Sequence, residues 1–234
     1  MNYFFESAKI AVNLIVSFDK NILDIVLLSL GVSFFAVAMS AVVGFPLGGL
    51  LALARFPGKN ALVLIVNAAM GLPPVVVGLV VYLVLSRAGP LGDLGLLFTP
   101  SAMVIAQALL VFPIIAGLAR QAIQDLWEEY EQLMRSFGIS AAEAILTLLW
   151  EGRFRLITVL LAGFGRAIAE VGAVMIVGGN IAGVTRTMTT SIALQTARGD
   201  LALALALGAI LILSTVMVNG LAQAVASMAK RHNG

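Results

Sequence analysis

Long runs of apolar residues dominate the chain and decide its structural class. Four runs contain no charged residue: 25–54, 61–86, 94–119 and 201–229. A fifth run, 156–185, is apolar except for Arg166 and Glu170. Each run exceeds the roughly 20 residues that a helix needs to cross a bilayer, and none alternates as a barrel strand does. The pattern predicts an all-α integral membrane protein with five transmembrane helices.

Composition supports this class and removes several kinds of active site. Of the 234 residues, 61% are apolar and 11% are charged, which is too few charges to cover a water-soluble globule of this size. The chain has no cysteine, and its single histidine is His232 in the C-terminal tail. Disulfides, thiol catalysis and thiolate metal sites are therefore excluded, and one histidine leaves almost no material for a histidine-based metal or proton-transfer site. The sequence also lacks the phosphate-binding loop, serine-nucleophile and zinc-protease motifs.

The N-terminal segment differs from the apolar runs. Residues 3–18 mix aromatic side chains with Glu6 and Lys9 and are too short to span a membrane. We expect the segment 1–22 to form an interfacial helix that lies in the plane of the membrane surface, and the alternative is a short disordered lead-in. The remainder, 23–229, is then one transmembrane domain.

The distribution of lysine and arginine orients the predicted spans. One set of flanks carries eight basic residues: Arg55, Lys59, Arg120, Arg135, Arg153, Arg155, Lys230 and Arg231. The opposite flanks carry five: Lys9, Lys20, Arg87, Arg186 and Arg198. Because cytoplasmic flanks are enriched in basic residues, we expect a multi-pass protein of the cytoplasmic (inner) membrane. Its N-terminus lies outside and its C-terminus in the cytoplasm, with residue 95 outside and residue 140 inside.

One long cytoplasmic loop, 120–155, follows from this orientation. Its first part, QAIQDLWEEYEQLMRSF, contains no helix breaker, and Gly138 then interrupts it. Ser140 and Glu143 follow with the spacing of a capping box, in which serine and glutamate side chains bond each other's backbone N–H groups. The loop is therefore predicted to be a helix, a hinge and a short second helix.

Four prolines lie within the predicted spans: Pro46, Pro73, Pro74 and Pro113. Each removes a backbone donor and bends or breaks its helix, which membrane proteins tolerate where neighbouring groups satisfy the freed carbonyls. Two interpretations remain open: irregular packing alone, or bent helices that leave room for a path at the midplane.

Two glycine pairs are four residues apart, Gly44 with Gly48 and Gly179 with Gly183. Small residues at this spacing permit close contact between helices. In a chain this rich in glycine, the pattern is weak evidence.

Arg166 and Glu170 are charged residues within the fourth span. Four residues apart on a continuous helix, they would share one face. Charges at this depth normally face protein interior or water, because an isolated charge in hydrocarbon costs a few kcal/mol. The pair is either a structural ion pair or part of a translocation path.

A segment rich in glycine and threonine, 178–200, follows that span. Amides and hydroxyls at glycine-rich turns suit an oxyanion, because they donate hydrogen bonds without a strong trapping charge. The alternative is a polar outer loop between two spans. The candidate pathway residues of this segment are Asn180, Thr185, Arg186, Thr187 and Thr189.

Three stretches together resemble the permease subunits of binding-protein-dependent ABC importers, most closely the molybdate and tungstate branch. LPPVVVGLVVYLVLSRAGPLG (72–92) is similar to that branch's proline-pair span and Gly-Pro-Leu-Gly turn. YEQLMRSFGIS (130–140) looks like the cytoplasmic loop that docks on the ATPase. FGRAIAEVGAVMIVGGNIAGVTRTMTTSI (164–192) is similar to the Arg-Ala-x-x-Glu-x-Gly-Ala span and its Gly-Asn-Ile-x-Gly-x-Thr extension, and it is the most specific of the three.

The docking loop departs from the family pattern, which reads Glu-Ala-Ala, three residues, then Gly. Counting back from Gly138 places Gln132 at the position of the family's glutamate, and the neighbouring Glu131 supplies a charge one position earlier. The resemblance assigns ATPase coupling to Glu131, Gln132, Gly138, Ser140 and Glu143.

The resemblance implies a type I ABC importer permease that works as a homodimer with a path along its axis. Two cytoplasmic ATPases, which hold ATP and Mg, dock on the helices at 139–150, and an extracytoplasmic binding protein delivers the oxyanion. The chain itself then carries no cofactor and is not an enzyme. The leading hypothesis is a tungstate or molybdate importer. The alternatives are a permease for sulfate or another small anion, a stand-alone channel or carrier, and an intramembrane enzyme.

Overall fold

The computed structural model describes residues 9–13, 16 and 19–232, and all regular structure among them is helical. This confirms the predicted all-α class. Besides helical residues at 9–13, the helices are α1 (Lys20–Leu53), α2 (Lys59–Ala69), α3 (Pro74–Leu85), α4 (Pro100–Ser136), α5 (Ala141–Glu151), α6 (Arg153–Ile168), α7 (Gly172–Gly178), α8 (Met188–Arg198) and α9 (Leu201–His232). A short 3₁₀ turn, Gly92–Leu94, precedes α4.

Three helical stretches are each long and apolar enough to cross a bilayer: α1, α4 and Leu201–Leu221 of α9. Two further crossings are available if each of two bent helix pairs counts as one, with α2–α3 bent by 101° and α6–α7 by 61°. The five predicted spans coincide in sequence with these three helices and two pairs, and the count of five requires that each bent pair crosses once. Most of the predicted interfacial segment 1–22 lies outside the described residues, and α1 already begins at Lys20.

The prolines act differently from one another. Pro73 precedes the first residue of α3, Pro74, so the proline pair lies at the break between α2 and α3. Proline suits the first turn of a helix, where its missing N–H has no acceptor to lose. Pro46 and Pro113 lie inside α1 and α4 without ending either helix. In the turn before Pro113, the Ser40 hydroxyl of α1 donates to the carbonyl oxygen of Ala108 at 3.0 Å.

The chain divides into two compact units. Unit 1 contains the described residues up to Ala36 together with Pro73–Gln107 and Ala167–Met217. Unit 2 contains Val37–Leu72, Ala108–Arg166 and the described residues from Val218 onwards.

Unit 1 is organised around close packing of α3 on α7. A Cβ atom on Gly78 would lie 2.7 Å from the Cα of Ala173, so only glycine permits this approach. The Phe98 N–H, ahead of α4, donates to the carbonyl oxygen of Val177 at 3.0 Å. The Ser29 hydroxyl oxygen of α1 accepts the N–H of Met188 at 2.8 Å and anchors the start of α8.

Unit 2 is organised around contact between α1 and α4. A Cβ atom on Gly48 would lie 2.8 Å from the carbonyl oxygen of Ala116, and one on Gly44 would lie 2.9 Å from the Ile115 side chain. The prediction of close helix contact is confirmed for this glycine pair. For Gly179 and Gly183 it is wrong, because both have left-handed backbones (φ 69° and 73°) beyond the end of α7.

Candidate functional site

The predicted coupling loop is a direct continuation of α4. This helix runs to Ser136, and the Gly138 and Ile139 N–H groups then close it by donating to Arg135 and Met134 carbonyl oxygens, both at 3.1 Å. These two bonds form the Schellman motif, which requires a left-handed residue. Gly138 supplies it with φ of 66°, and nothing lies within 4 Å of an added Cβ. The glycine is therefore required for its backbone conformation rather than for space.

The second helix of the loop begins with the predicted capping box. The Ser140 N–H donates to Glu143 Oε2 at 2.9 Å, and the Glu143 N–H donates to Ser140 Oγ at 3.4 Å. The Ser140 hydroxyl also donates to Glu143 Oε2 at 2.6 Å. The prediction of helix, hinge and second helix is confirmed, with α5 as that second helix.

The capping bonds lower the pKa of the Glu143 carboxyl below its ordinary value of 4.5, chiefly through the Ser140 hydroxyl and then through its N–H. Because the pKa of Glu143 is lower in the folded chain than in the unfolded chain, its carboxylate stabilises the fold fully at any pH above the ordinary pKa. This stabilisation is lost as the pH falls through the lowered pKa. The cap is therefore intact throughout the neutral range.

Replacing Ser140 by alanine should loosen the start of α5. Loss of an N-cap costs about 1 kcal/mol, which corresponds to roughly fivefold faster amide hydrogen exchange in the first turn of the helix. Exchange measured by mass spectrometry over 141–145 checks this. Ser136→Ala is the matched control, because the exposed Ser136 hydroxyl bonds the carbonyl oxygen of Leu133 in its own helix and no other described residue. Equal exchange in the two variants would contradict a capping role.

The buried face of α5 folds back onto α4. Ala144 and Leu148 are fully buried against Ile123, Leu126 and Met134 of α4. This packing gives α5 a defined position within unit 2 and leaves its other faces exposed. Those faces are the ones available to a partner.

The remaining predicted coupling residues lie on the surface of α4. Glu131 forms an ion pair with Arg135 one turn later, and Gln132 is exposed. Surface pairs of this kind contribute little to stability, so Glu131 remains accessible to a partner.

The predicted pathway segment contains a helix that the sequence did not reveal. Residues 188–198 form α8 instead of a polar loop, and Thr187 caps it. The Thr190 N–H donates to Thr187 Oγ1 at 3.4 Å, and the Thr187 N–H donates to Thr190 Oγ1 at 3.0 Å. Gly199, with φ of 79°, ends the helix. The signals that identify α8 are therefore this capping pair and the terminal glycine.

The other pathway threonines are buried, and their hydroxyls bond the chain itself. The Thr185 hydroxyl donates to the carbonyl oxygen of Gly178 at 2.5 Å and accepts the Ile181 N–H at 3.0 Å. The Thr189 hydroxyl donates to the carbonyl oxygen of Glu170 at 2.7 Å. Asn180 has a left-handed backbone, and its Oδ1 accepts the Thr190 hydroxyl at 2.9 Å. These side chains therefore stabilise the conformation of the segment through hydrogen bonds within the chain.

Glu170 and Arg166 do not lie on one continuous helix, so that premise of the sequence analysis is wrong. Arg166 is in the last turn of α6, which ends at Ile168, and Glu170 lies in the break before α7. Glu170 is buried, and its Oε1 accepts the N–H of Ala173 at 3.3 Å, at the start of α7. The carboxylate thereby helps to begin the new helix, and this explains a break where no proline occurs.

Arg186 lines a chamber of about 680 Å³ within unit 1. Its polar lining also includes Ser191 and Gln195 of α8 and Asn21 and Asp24 of α1, which the sequence analysis did not single out. Opposite charges therefore occur in the same chamber. A dianion in it would be attracted by Arg186 and repelled by Asp24.

Two polar atoms of this chamber's lining residues have no hydrogen-bond partner among the described residues. They are Nε of the half-buried Arg186 and Oγ of the fully buried Ser191. A second nitrogen of Arg186, Nη2, donates to the carbonyl oxygen of Asn180 at 3.4 Å. Buried polar groups without partners are uncommon and often mark a position that a ligand or water occupies. No cluster of three or more His, Asp or Glu that could hold a metal ion occurs in the described part of the chain.

Comparison with known proteins identifies the family. The family model described as the inner membrane component of binding-protein-dependent transport systems matches residues 44–230. The tungstate uptake system permease protein TupB of Peptoclostridium acidaminophilum is 42% identical over 219 residues, covering 94% of this chain and 96% of the relative. TupB of Campylobacter jejuni is 38% identical over 219 residues, covering 94% and 92%.

A third relative extends the similarity beyond these two organisms. A probable anion ABC transporter permease protein of Haloferax volcanii is 41% identical over 205 residues, covering 86% of this chain and 88% of the relative. The range matched by the family model, 44–230, contains the Schellman glycine, the capped helix α5 and the chamber residues of α8. The chain belongs to the family of inner membrane components of binding-protein-dependent transport systems.

Proposed function

We propose that this chain is the permease subunit of an ATP-driven importer for an oxyanion, with tungstate as the preferred substrate. The observation that carries the proposal is the coupling loop, in which a capped helix is held at a fixed place on the extension of an apolar helix. The identity of 38–42% to two tungstate uptake permeases supports the choice of substrate. Molybdate is the second candidate, because it is also a tetrahedral dianion of nearly the same size.

The assembly in this proposal contains two copies of the chain, two cytoplasmic ATPase subunits and an extracytoplasmic binding protein. The ATPases hold ATP and Mg and dock on α5, so the chain itself performs no hydrolysis. The chamber with Arg186 lies on the path of the anion. It offers one cation tempered by Asp24, which allows the dianion to pass without being held.

Uptake in proteoliposomes tests this function. The permease, its ATPase and its binding protein are reconstituted together, and tungsten accumulation is measured with and without ATP. We expect ATP-dependent accumulation of tungstate that excess molybdate reduces and excess sulfate does not. A preference for sulfate would favour the small-anion permease. Conductance of the purified chain without the ATPase would favour a stand-alone channel.

The orientation is a separate part of the proposal, and single cysteines test it because the chain has none of its own. Leu94→Cys and Thr147→Cys introduce thiols at exposed positions in the 3₁₀ turn and in α5. In intact cells, a membrane-impermeant maleimide should label residue 94, whereas residue 147 should react only after permeabilisation. Labelling of both residues in intact cells would contradict an outer N-terminus with a cytoplasmic α5.

A further inference from the structure

An apolar groove of about 490 Å³ lies within unit 2, between the middle of α1 and the helices α5 and α6. Val42 and Phe45 of α1, Leu146 and Trp150 of α5, and Ile157 of α6 line it. Of the residues in its lining, Arg153 alone carries a charge. The groove therefore has long apolar walls and one cationic group.

The guanidinium of Arg153 is held in place by its neighbours. It lies 4.8 Å from the ring centre of Phe154 and 5.3 Å from that of Trp150, within cation–π distance of both. Its Nη1 donates to the carbonyl oxygen of Trp150 at 3.0 Å. No carboxylate of a described residue lies within 4.0 Å of it. An oriented guanidinium with no carboxylate this close among the described residues is suited to binding an anion.

The exposed surface of α5 is divided into two stripes. Glu143 and Thr147 form a polar stripe, whereas Leu146 and Trp150 form an apolar stripe and are 70% and 72% exposed. Within each pair the residues are four apart, and each apolar residue lies three positions after a polar one, so the two stripes run side by side on the exposed surface of the helix. Only the apolar stripe lines the groove, and the polar stripe remains for a protein partner in water.

Aromatic and basic residues at the start of an apolar helix are typical of the boundary between bilayer and water. Arg153 and Phe154 begin α6, and the groove extends from there along the apolar residues of α6 and α1. We propose that the groove binds an anionic phospholipid, with an acyl chain along Val42 and Ile157 and the acidic headgroup at Arg153. The lipid would then contact the same helix that couples to the ATPase.

Lipid retention tests this inference without measuring transport. The permease is taken from vesicles of equal parts phosphatidylcholine and phosphatidylglycerol, and native mass spectrometry counts the phosphatidylglycerol that remains bound. Because one basic side chain contributes about fivefold to binding of an anionic lipid, Arg153→Ala should reduce retention by about that factor. Arg155→Ala is the matched control, because Arg155 is exposed and does not line the groove. Equal losses of bound phosphatidylglycerol in both variants would overturn the proposed site, because they would indicate a diffuse attraction between basic residues and the anionic lipid.

The walls of the groove are tested separately from its charge. Val42 is 75% exposed and lines the groove, whereas the exposed neighbour Val43 does not. Val42→Trp should displace the lipid, and Val43→Trp should leave retention unchanged. Unchanged retention in Val42→Trp would overturn the inference. Efficient disulfide formation between two copies of Val42→Cys would also overturn it, because a second copy would then occupy the groove.

Discussion

Replacing Gly138 by proline should separate the permease from its ATPase while leaving the chain in the membrane. Proline fixes φ near −65°, whereas Gly138 has φ of 66° and donates its N–H to the carbonyl oxygen of Arg135. The substitution therefore removes both the conformation and the hydrogen bond that close α4, at a cost of about 3 kcal/mol or more. We expect co-purification with the ATPase and ATP-driven uptake to fall by at least about a hundredfold.

A milder substitution separates conformation from space at the same position. Gly138→Ala should cost about 1–2 kcal/mol, which is the penalty for a left-handed backbone in a residue with a Cβ, because nothing lies within 4 Å of the added atom. Gly208→Ala in α9 is the matched control, since its added Cβ also meets nothing and its backbone is helical. Normal ATPase binding by Gly138→Pro would show that the joint between α4 and α5 has no part in coupling.

Replacing Arg186 by glutamine should lower oxyanion uptake by about tenfold or more. A charge-assisted hydrogen bond contributes about 1.5–3 kcal/mol, and glutamine retains a donor while it removes the charge. Arg186 lines the chamber of unit 1, and its buried Nε has no hydrogen-bond partner among the described residues, so we expect this cation to interact with a passing dianion. Uptake and oxyanion-stimulated ATP hydrolysis in the reconstituted complex provide the measurement.

Arg198→Gln is the control for this charge, because Arg198 is exposed in the last turn of α8 and does not line the chamber. Arg186→Lys retains the charge and should restore part of the uptake. The amount of permease and ATPase in the complex should be the same in all three variants. Wild-type uptake by Arg186→Gln would remove the chamber from the translocation path.

The elements that could be predicted from the sequence are those with local causes. Gly138, Ser140 and Glu143 define the joint and the cap within six residues, and the proline pair places the bend between α2 and α3. The contact at Gly44 and Gly48 was also predictable, because small residues four apart leave room for a neighbouring helix. In each case the deciding interaction lies within one or two turns of the chain or depends on side-chain size alone.

The local signals of α8, its capping pair and terminal glycine, were present in the sequence, whereas the other missed features depend on contacts between residues distant in sequence. The break after Ile168 involves the Thr189 hydroxyl, which bonds the carbonyl oxygen of Glu170 from nineteen residues away. The start of α8 is held by Ser29, which is 159 residues from Met188. Asn21 and Asp24 line the same chamber as Arg186, although more than 160 positions of the chain separate them from it. No pattern of apolar residues encodes these encounters, because they form only after the helices have packed.

The unbroken course of α4 has a mechanical consequence. A helix rises about 1.5 Å per residue, so the stretch of α4 within unit 2, from Ala108 to Ser136, is roughly 40 Å long. As one continuous helix it would act as a lever, with its pivot where Ala116 meets Gly48 and its moving end at the joint beside α5. If the ATPase displaced α5 by a few ångströms, α4 would tilt as one body about its contact with α1. A flexible linker in place of the helix would absorb such a displacement. Two glycine substitutions in α4 near Gln124 would make the helix flexible there. We expect transport to fall even though every contact with the ATPase is retained.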